Sequence, residues 1–186
     1  NVIDPFELVK RYGTDPVRYY LLREIPSGED GDFSYKKFEE RYNGELANGL
    51  GNLVARIAKL GESISPFKPH FANYPETFCK EAIERTQKIY TQYMTFLRLN
   101  EALASIWELI GFTDRYVNEK KPWAAKKDDE AFTRTIANLG YVVDAIRVMV
   151  TPFLPETAEK IREQIRCEDG MLTIKKGGNL FPRLGS

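Results

Sequence analysis

One stretch constrains the fold more than any other. From Ser34 to about Leu60, the apolar residues Phe38, Tyr42, Leu46, Leu50, Leu53, Ile57 and Leu60 recur at steps of three and four. That is the period of a helix with one buried face. At roughly 100° per residue, the last five fall within about 80° of arc. Ser34 is a residue type that caps helix starts. A helix this long is stable in water only when other elements cover its apolar face, so the chain must supply packing partners.

The remaining segments supply them. At the start, Asp4 reads as a cap, with Pro5 at the first helical position and Glu7 three residues on. Asp15-Pro16 repeats the device for a second helix that buries Val17, Tyr20, Leu21 and Leu22. Pro26 and Ser27-Gly28-Glu29-Asp30-Gly31 predict a loop, and Asp32-Phe33 at most a short extended piece. Pro66, Pro69 and Pro75 make 61–75 a loop. Helices are expected over about 76–97, with Phe78, Ile83, Ile89, Tyr93 and Phe96 inward, and over about 100–118, with Leu103, Ile106, Trp107 and Ile110. Two more are expected over about 129–150, with Phe132, Ile136, Leu139, Val142, Val143 and Ile146, and over about 155–167, with Ala158, Ile161 and Ile165. The expected fold is mainly all-α: an antiparallel bundle of four to five helices over 46–169, a small adaptor over 1–45 and a tail over 170–186.

Charge narrows the function. Lys plus Arg total 27 and Asp plus Glu total 27. Zero net charge excludes a binder driven by a strong overall positive field, and leaves room for a local basic patch. No run of eighteen apolar residues is present, so no membrane helix is expected. The opening residues lack the basic start and apolar run of a signal peptide. Cys79, Cys167 and His70 are the only Cys and His residues. A structural zinc site needs four such ligands, so no metal site is expected. A phosphate-binding glycine loop, a dinucleotide fingerprint and a nucleophile elbow are all missing, and with a single histidine neither a Ser–His nor a Cys–His pair is expected. The chain therefore carries no expected catalytic residue and no cofactor. So few cysteines fit a reducing, cytoplasmic setting.

Two features remain as binding candidates. Asn52 and Arg56 stand four apart on the long helix and share a face at the edge of the apolar stripe. Asn is a poor residue for a helix interior. The pair is either a plain solvated edge or a hydrogen-bonding device. The second feature is Lys120-Lys121-Pro122-Trp123-Ala124-Ala125-Lys126-Lys127. An aromatic plane among lysines suits single-stranded RNA, whose bases stack on the ring while ammonium groups meet phosphates. The competing reading has Trp123 closing the end of the bundle, with Lys120, Lys121, Lys126 and Lys127 keeping the rim wet. Asp128-Asp129-Glu130 cancels part of the positive field. Arg11, Arg18, Arg23, Lys36 and Lys37 read as ordinary solvated charge.

Several pieces together resemble a known family. Asn1-Val2-Ile3-Asp4-Pro5, Asp15-Pro16-Val17-Arg18-Tyr19-Tyr20-Leu21-Leu22, Gly31-Asp32-Phe33-Ser34 and Arg41-Tyr42-Asn43 stand in order. Leu46-Ala47-Asn48, Leu50-Gly51-Asn52-Leu53, Tyr116-Val117 with Pro122-Trp123, and Leu180-Phe181-Pro182-Arg183 follow. Over nearly its whole length the chain resembles the C-terminal part of the methionyl-tRNA synthetases, which are class I aminoacyl-tRNA synthetases. The resemblance implies an anticodon-binding helical bundle preceded by a stem-contact adaptor. It implies that Asn52 and Arg56 read the first anticodon base, that Trp123 stacks on an anticodon base, and that Pro122 shapes the Trp123 site. The implied partners are the anticodon stem-loop of tRNA(Met) and an N-terminal catalytic domain outside this sequence, with no role for DNA or membrane. ATP with magnesium would serve the full-length enzyme only, and this piece is expected to be inactive alone. The equivalent piece of a cysteinyl, leucyl or isoleucyl enzyme, or a helical protein-interaction module, remains the alternative. Asp114 stands where many family members have asparagine, and no binding role is expected for it.

Overall fold

The computed structural model describes residues 3–25, 31, 33–127 and 129–185. The loop expected at Pro26 to Asp30, and Asp32 and Asp128, lie outside them. Helix α1 (Pro5–Tyr12) starts as its sequence dictates, with the Asp4 carboxylate accepting from the Phe6 N–H at 2.8 Å. Helix α2 (Thr14–Glu24) does not. Asp15 leaves the start of its own helix uncapped and lies buried, accepting instead from the backbone N–H of Thr157 at 2.7 Å. It thus helps cap a helix far away in sequence. Arg18, on the same helix, donates from Nε to the Phe153 carbonyl at 2.9 Å and from Nη2 to the Pro152 carbonyl at 3.0 Å. The expectation of Arg18 as idle surface charge is corrected: it is a clamp between the adaptor and the bundle. Leu21 is exposed rather than buried.

The long helix forms, with Ser34 as cap, but in three parts. Helix α3 (Tyr35–Arg41) passes into a π-helical segment (Tyr42–Gly51), which passes into α4 (Asn52–Gly61). The i→i+5 bonding of a π-helix widens the turn, and such segments gather at functional sites. Its residues include Gly44, Gly49 and Gly51, so few side chains resist the wider turn. Leu46, Leu50, Leu53 and Ile57 all reach the core.

Helices α5 (Thr77–Thr95), α6 (Leu99–Lys120) and α7 (Glu130–Val150) complete the bundle, with α6 packed on both α5 and α7 and α4 on α7. Leu103, Ile106, Ile136, Leu139, Val143 and Ile146 are wholly or almost wholly buried. Two expected core residues of α5 are corrected. Phe78 lies at the surface, and Phe96, 69% exposed, stands in the turn before α6. Helix α8 (Pro155–Gln164) ends three residues before the expected Cys167. The chain turns back as an antiparallel hairpin, β1 (Ile165–Glu168) and β2 (Met171–Ile174). The hairpin lies tightly on α7: a Cβ at Gly140 would meet Leu172 Cδ1 at 2.7 Å. Beyond β2, the tail crosses the π-helical segment as a strap, with Leu180 and Phe181 buried. Asn43 fixes the strap reciprocally, donating to the Leu184 carbonyl at 3.2 Å and accepting from the Leu184 N–H at 2.9 Å.

Candidate nucleic-acid interface

The sequence candidates sit on two elements that converge. Arg56 lies in the second turn of α4. Trp123 lies in a 3-10 turn (Pro122–Ala124) directly after α6. Helix α6 ends when the Lys121 N–H bonds back to the Val117 carbonyl at 3.0 Å and Lys121 takes a left-handed conformation, φ 45°. Pro122 then enters the turn with its φ already fixed and is buried, while Trp123 is left 52% exposed. Burial of the proline anchors the turn, so the indole is presented without being enclosed. The Trp123 ring is thus half open to solvent rather than enclosed at the bundle end.

The Arg56 guanidinium carbon lies 5.4 Å from the Trp123 ring centroid. That is within the reach of a cation–π contact over one face of the ring. Arg56 is held from its far side. Its Nη1 donates to Asp114 Oδ1 at 2.7 Å and its Nη2 to Asn118 Oδ1 at 2.8 Å. Asn118 Nδ2 in turn donates to Asp114 Oδ2 at 3.0 Å. The three side chains close a ring. Two of the five guanidinium N–H donors are engaged in these bonds, and the remaining three have no hydrogen-bond partner among the described residues. Asp114, for which the sequence predicts no RNA-binding role, helps with Asn118 to set the direction of Arg56.

Asp114 and Asn118 stand four apart on α6, as Asn52 and Arg56 do on α4. That pairing of two i,i+4 edges was present in the sequence, but nothing there shows that α4 and α6 face each other at this level. Asn52 is exposed and opens α4. It does not join the Arg56 ring. It borders a groove of about 420 Å³ between the helix and the tail strap, which Asn48, Asn179 and Arg183 also line. Lys120, Lys121, Lys126 and Lys127 are all exposed around the Trp123 turn, and Lys120 Nζ stands 5.5 Å from the Tyr116 ring centroid. Among the described residues no three His, Cys, Asp or Glu side chains gather as a metal site requires, and no helix is long and apolar enough to cross a membrane. The bases of the first segment are engaged locally: Arg11 pairs with Glu39, Lys36 with Glu40, Lys37 with Glu24 and Arg23 with Glu45.

Comparison with known proteins points the same way. A family model described as tRNA synthetases class I (M) matches residues 1–58, and one described as the anticodon-binding domain of tRNA ligase matches residues 80–176. The chain is 39% identical to a methionine–tRNA ligase of Clostridium acetobutylicum, across 99% of this chain and 32% of that protein. It is 36% identical to a methionine–tRNA ligase of Bacillus subtilis, across 99% of this chain and 31% of that protein. The structure of an apo methionyl-tRNA synthetase from Mycobacterium tuberculosis superposes with a TM-score of 0.84 at 26% identity, covering 99% of this chain and 41% of the other. The chain spans about a third of the length of the curated relatives it matches.

Proposed function

The chain belongs to the family of tRNA-ligase anticodon-binding domains, on the methionine branch of the class I synthetases, and from that membership we propose that it reads the CAU anticodon of tRNA(Met). Residues 46–169 form the reading bundle, residues 1–45 the stem-contacting adaptor and residues 170–186 the tail. In the cytoplasm, the longer ligase would join methionine to that tRNA using ATP and magnesium. This chain has neither a His-Ile-Gly-His nor a Lys-Met-Ser-Lys-Ser sequence, so no step involving ATP is assigned to its residues.

The observation that carries the reading is the approach of Arg56 to an exposed Trp123. A base stacked on the indole lies beside a guanidinium whose free N–H groups are already aimed. Cytosine offers two adjacent acceptors, O2 and N3, to such a fork. Uracil carries a proton on N3 and opposes it. Pro122 fixes the platform, and Lys120, Lys121, Lys126 and Lys127 surround it with charge suited to phosphates. Asn52, with both a donor and an acceptor, borders the same edge.

Titration of a CAU stem-loop RNA, followed by tryptophan fluorescence, tests this. Stacking on Trp123 quenches its emission. Trp107, which lies against the Tyr19 ring and donates to the Glu45 carbonyl, stays unaffected. Arg56→Ala and Trp123→Ala each weaken binding by about 1–3 kcal/mol. Trp123→Ala costs the fold about 2 kcal/mol at most, since only part of the ring is buried. Unchanged binding in both variants, or equal affinity for cytosine and uracil at the first anticodon position, refutes the reading.

A further inference from the structure

The tail motif Leu180-Phe181-Pro182-Arg183 has no part in the Arg56–Trp123 platform, yet the fold builds it beside that platform. Phe181 packs edge-on against Tyr42, with ring centroids 6.0 Å apart. The strap lies directly on the helix at Gly51, where a Cβ would stand in ordinary contact with Phe181 at 3.5 Å from Cδ2. Together with the reciprocal Asn43–Leu184 pair, these contacts hold the strap against the π-helical segment. The strap then forms one wall of a groove of about 420 Å³, and the helix forms the other. That volume falls within the range of about 300–1,000 Å³ typical of small-ligand sites.

The lining has a consistent chemistry. Asn48 and Asn52 stand on the helix wall, and Asn179 and Arg183 on the strap wall. The side-chain amides of Asn48, Asn52 and Asn179 make no hydrogen bond among the described residues. Each offers donors and an acceptor, the combination that matches the edge of a nucleobase. No carboxylate lines the groove, so nothing there repels a phosphate. Asn48, Asn52 and Arg56 follow one another at four-residue steps along the helix, so Asn52 on the groove wall stands roughly one helical turn from Arg56.

We infer that the groove between the helix and the tail strap is a second nucleotide subsite, which holds an RNA nucleotide flanking the one stacked on Trp123. Asn48 and Asn179 contact the base edge from opposite walls. This inference rests on the anticodon-reading proposal above and adds a nucleotide position to it.

The test uses this chain and a CAU stem-loop RNA, with three further RNAs that each carry an abasic nucleotide at one anticodon position. Asn48→Ala and Asn179→Ala are measured against each RNA, alongside Trp123→Ala. Each Asn variant is expected to lose fivefold or more in affinity for the intact RNA. Each is also expected to become insensitive to one abasic substitution, the same for both, and different from the position to which Trp123→Ala becomes insensitive. Asn179 lies outside any helix, so its variant stands even if Asn48→Ala alters the π-helical turn. An equal loss on all four RNAs, or no loss, with the Trp123 pairing intact overturns the groove alone. Failure of the unaltered chain to bind the stem-loop, or loss of the Trp123 pairing, overturns the anticodon reading and the groove with it.

Discussion

Asp114→Ala isolates the device that holds Arg56. The ion pair is short, 2.7 Å, but both side chains keep part of their contact with water, 27% for Arg56 and 43% for Asp114. Pairs of this exposure contribute about 0.2–1 kcal/mol to stability, so the fold loses little. The loss falls on recognition. Without Asp114 the guanidinium keeps only Asn118, which has itself lost its Asp114 partner, and ordering it when RNA binds costs about 0.5–1.5 kcal/mol for a flexible side chain. An opposing effect exists, because removing a carboxylate helps a polyanion approach. At about 8 Å in water that repulsion is worth about 0.5 kcal/mol, and it is screened further over a Debye length of about 8 Å at physiological salt.

Ordering therefore wins at 150 mM salt, and the expected net loss is about twofold to tenfold in stem-loop affinity. Asp114→Asn keeps an acceptor for Nη1 while removing the charge, so it loses less than Asp114→Ala. The decisive measurement is a double-mutant cycle with Arg56→Ala. In that background Asp114→Ala has nothing left to position, and its cost vanishes. A cost of the same size with and without Arg56, or a gain in cognate affinity at 150 mM salt, refutes the positioning role.

Three further outcomes follow from the same contacts. Arg18→Ala removes the donors that hold the Pro152 and Phe153 carbonyls. It should lower stability by about 1–3 kcal/mol in urea melts and leave stem-loop affinity of the folded chain unchanged. Burial pushes the Cys79 thiol from 9.0 up to about 12. Between those values the unfolded chain gives up this proton and the folded chain keeps it, so stability falls as pH rises, by at most about 1.4 kcal/mol per pH unit. Melts at pH 8 and pH 10 should show a shallower fall in Cys79→Ala. Finally, methionine-dependent ATP–pyrophosphate exchange by this chain should not exceed that of a purified blank, and exchange above it would place adenylate chemistry within these residues.

The helices were legible because their apolar periods are strong, and the exceptions each have a competing signal. Asp15-Pro16 has the form of a local helix start. Tertiary structure recruits the carboxylate elsewhere, to the Thr157 N–H. The hairpin at 165–174 was hidden by Ala158, Ile161 and Ile165, which extend the helical pattern of α8. Its own signal was present in Asp169-Gly170. Both residues adopt positive φ, 51° and 73°, as a tight primed turn demands. The π-helical segment also left a trace. Phe38, Tyr42, Leu46 and Leu50 follow three consecutive four-residue steps, which drift by about 40° each on a regular α-helix. All four are nonetheless buried, so the wider turn takes back that drift. Of the candidate site, Asn52, Arg56, Pro122 and Trp123 stood out in the sequence, but the Arg56–Asp114–Asn118 ring did not. Arg56 lies about sixty residues from Asp114 and Asn118, and only the packing of α4 beside α6 makes them neighbours.

That packing also explains why an exposed indole has a fixed orientation. Trp123 is half exposed, and the turn that carries it is fixed by the buried Pro122 and by backbone bonds on either side. The Ala124 N–H donates to the Lys121 carbonyl at 2.9 Å and the Ala125 N–H to the Pro122 carbonyl at 3.2 Å. Arg56 takes its direction from α6, and α6 is tied in turn to the adaptor. The Trp107 indole donates to the Glu45 carbonyl at 3.2 Å, and the Glu45 carboxylate accepts from Tyr19 of α2 and from Arg41. Helix α2 also carries Asp15 and Arg18, which grip the corner between α7 and α8. Directional polar contacts, added to apolar packing, thus fix the angle between adaptor and bundle, because a rotation that apolar surfaces tolerate would break hydrogen bonds in buried or partly buried places. On the proposed reading, an RNA loop gripped at Arg56 and Trp123 would be held at a set angle to the first two helices.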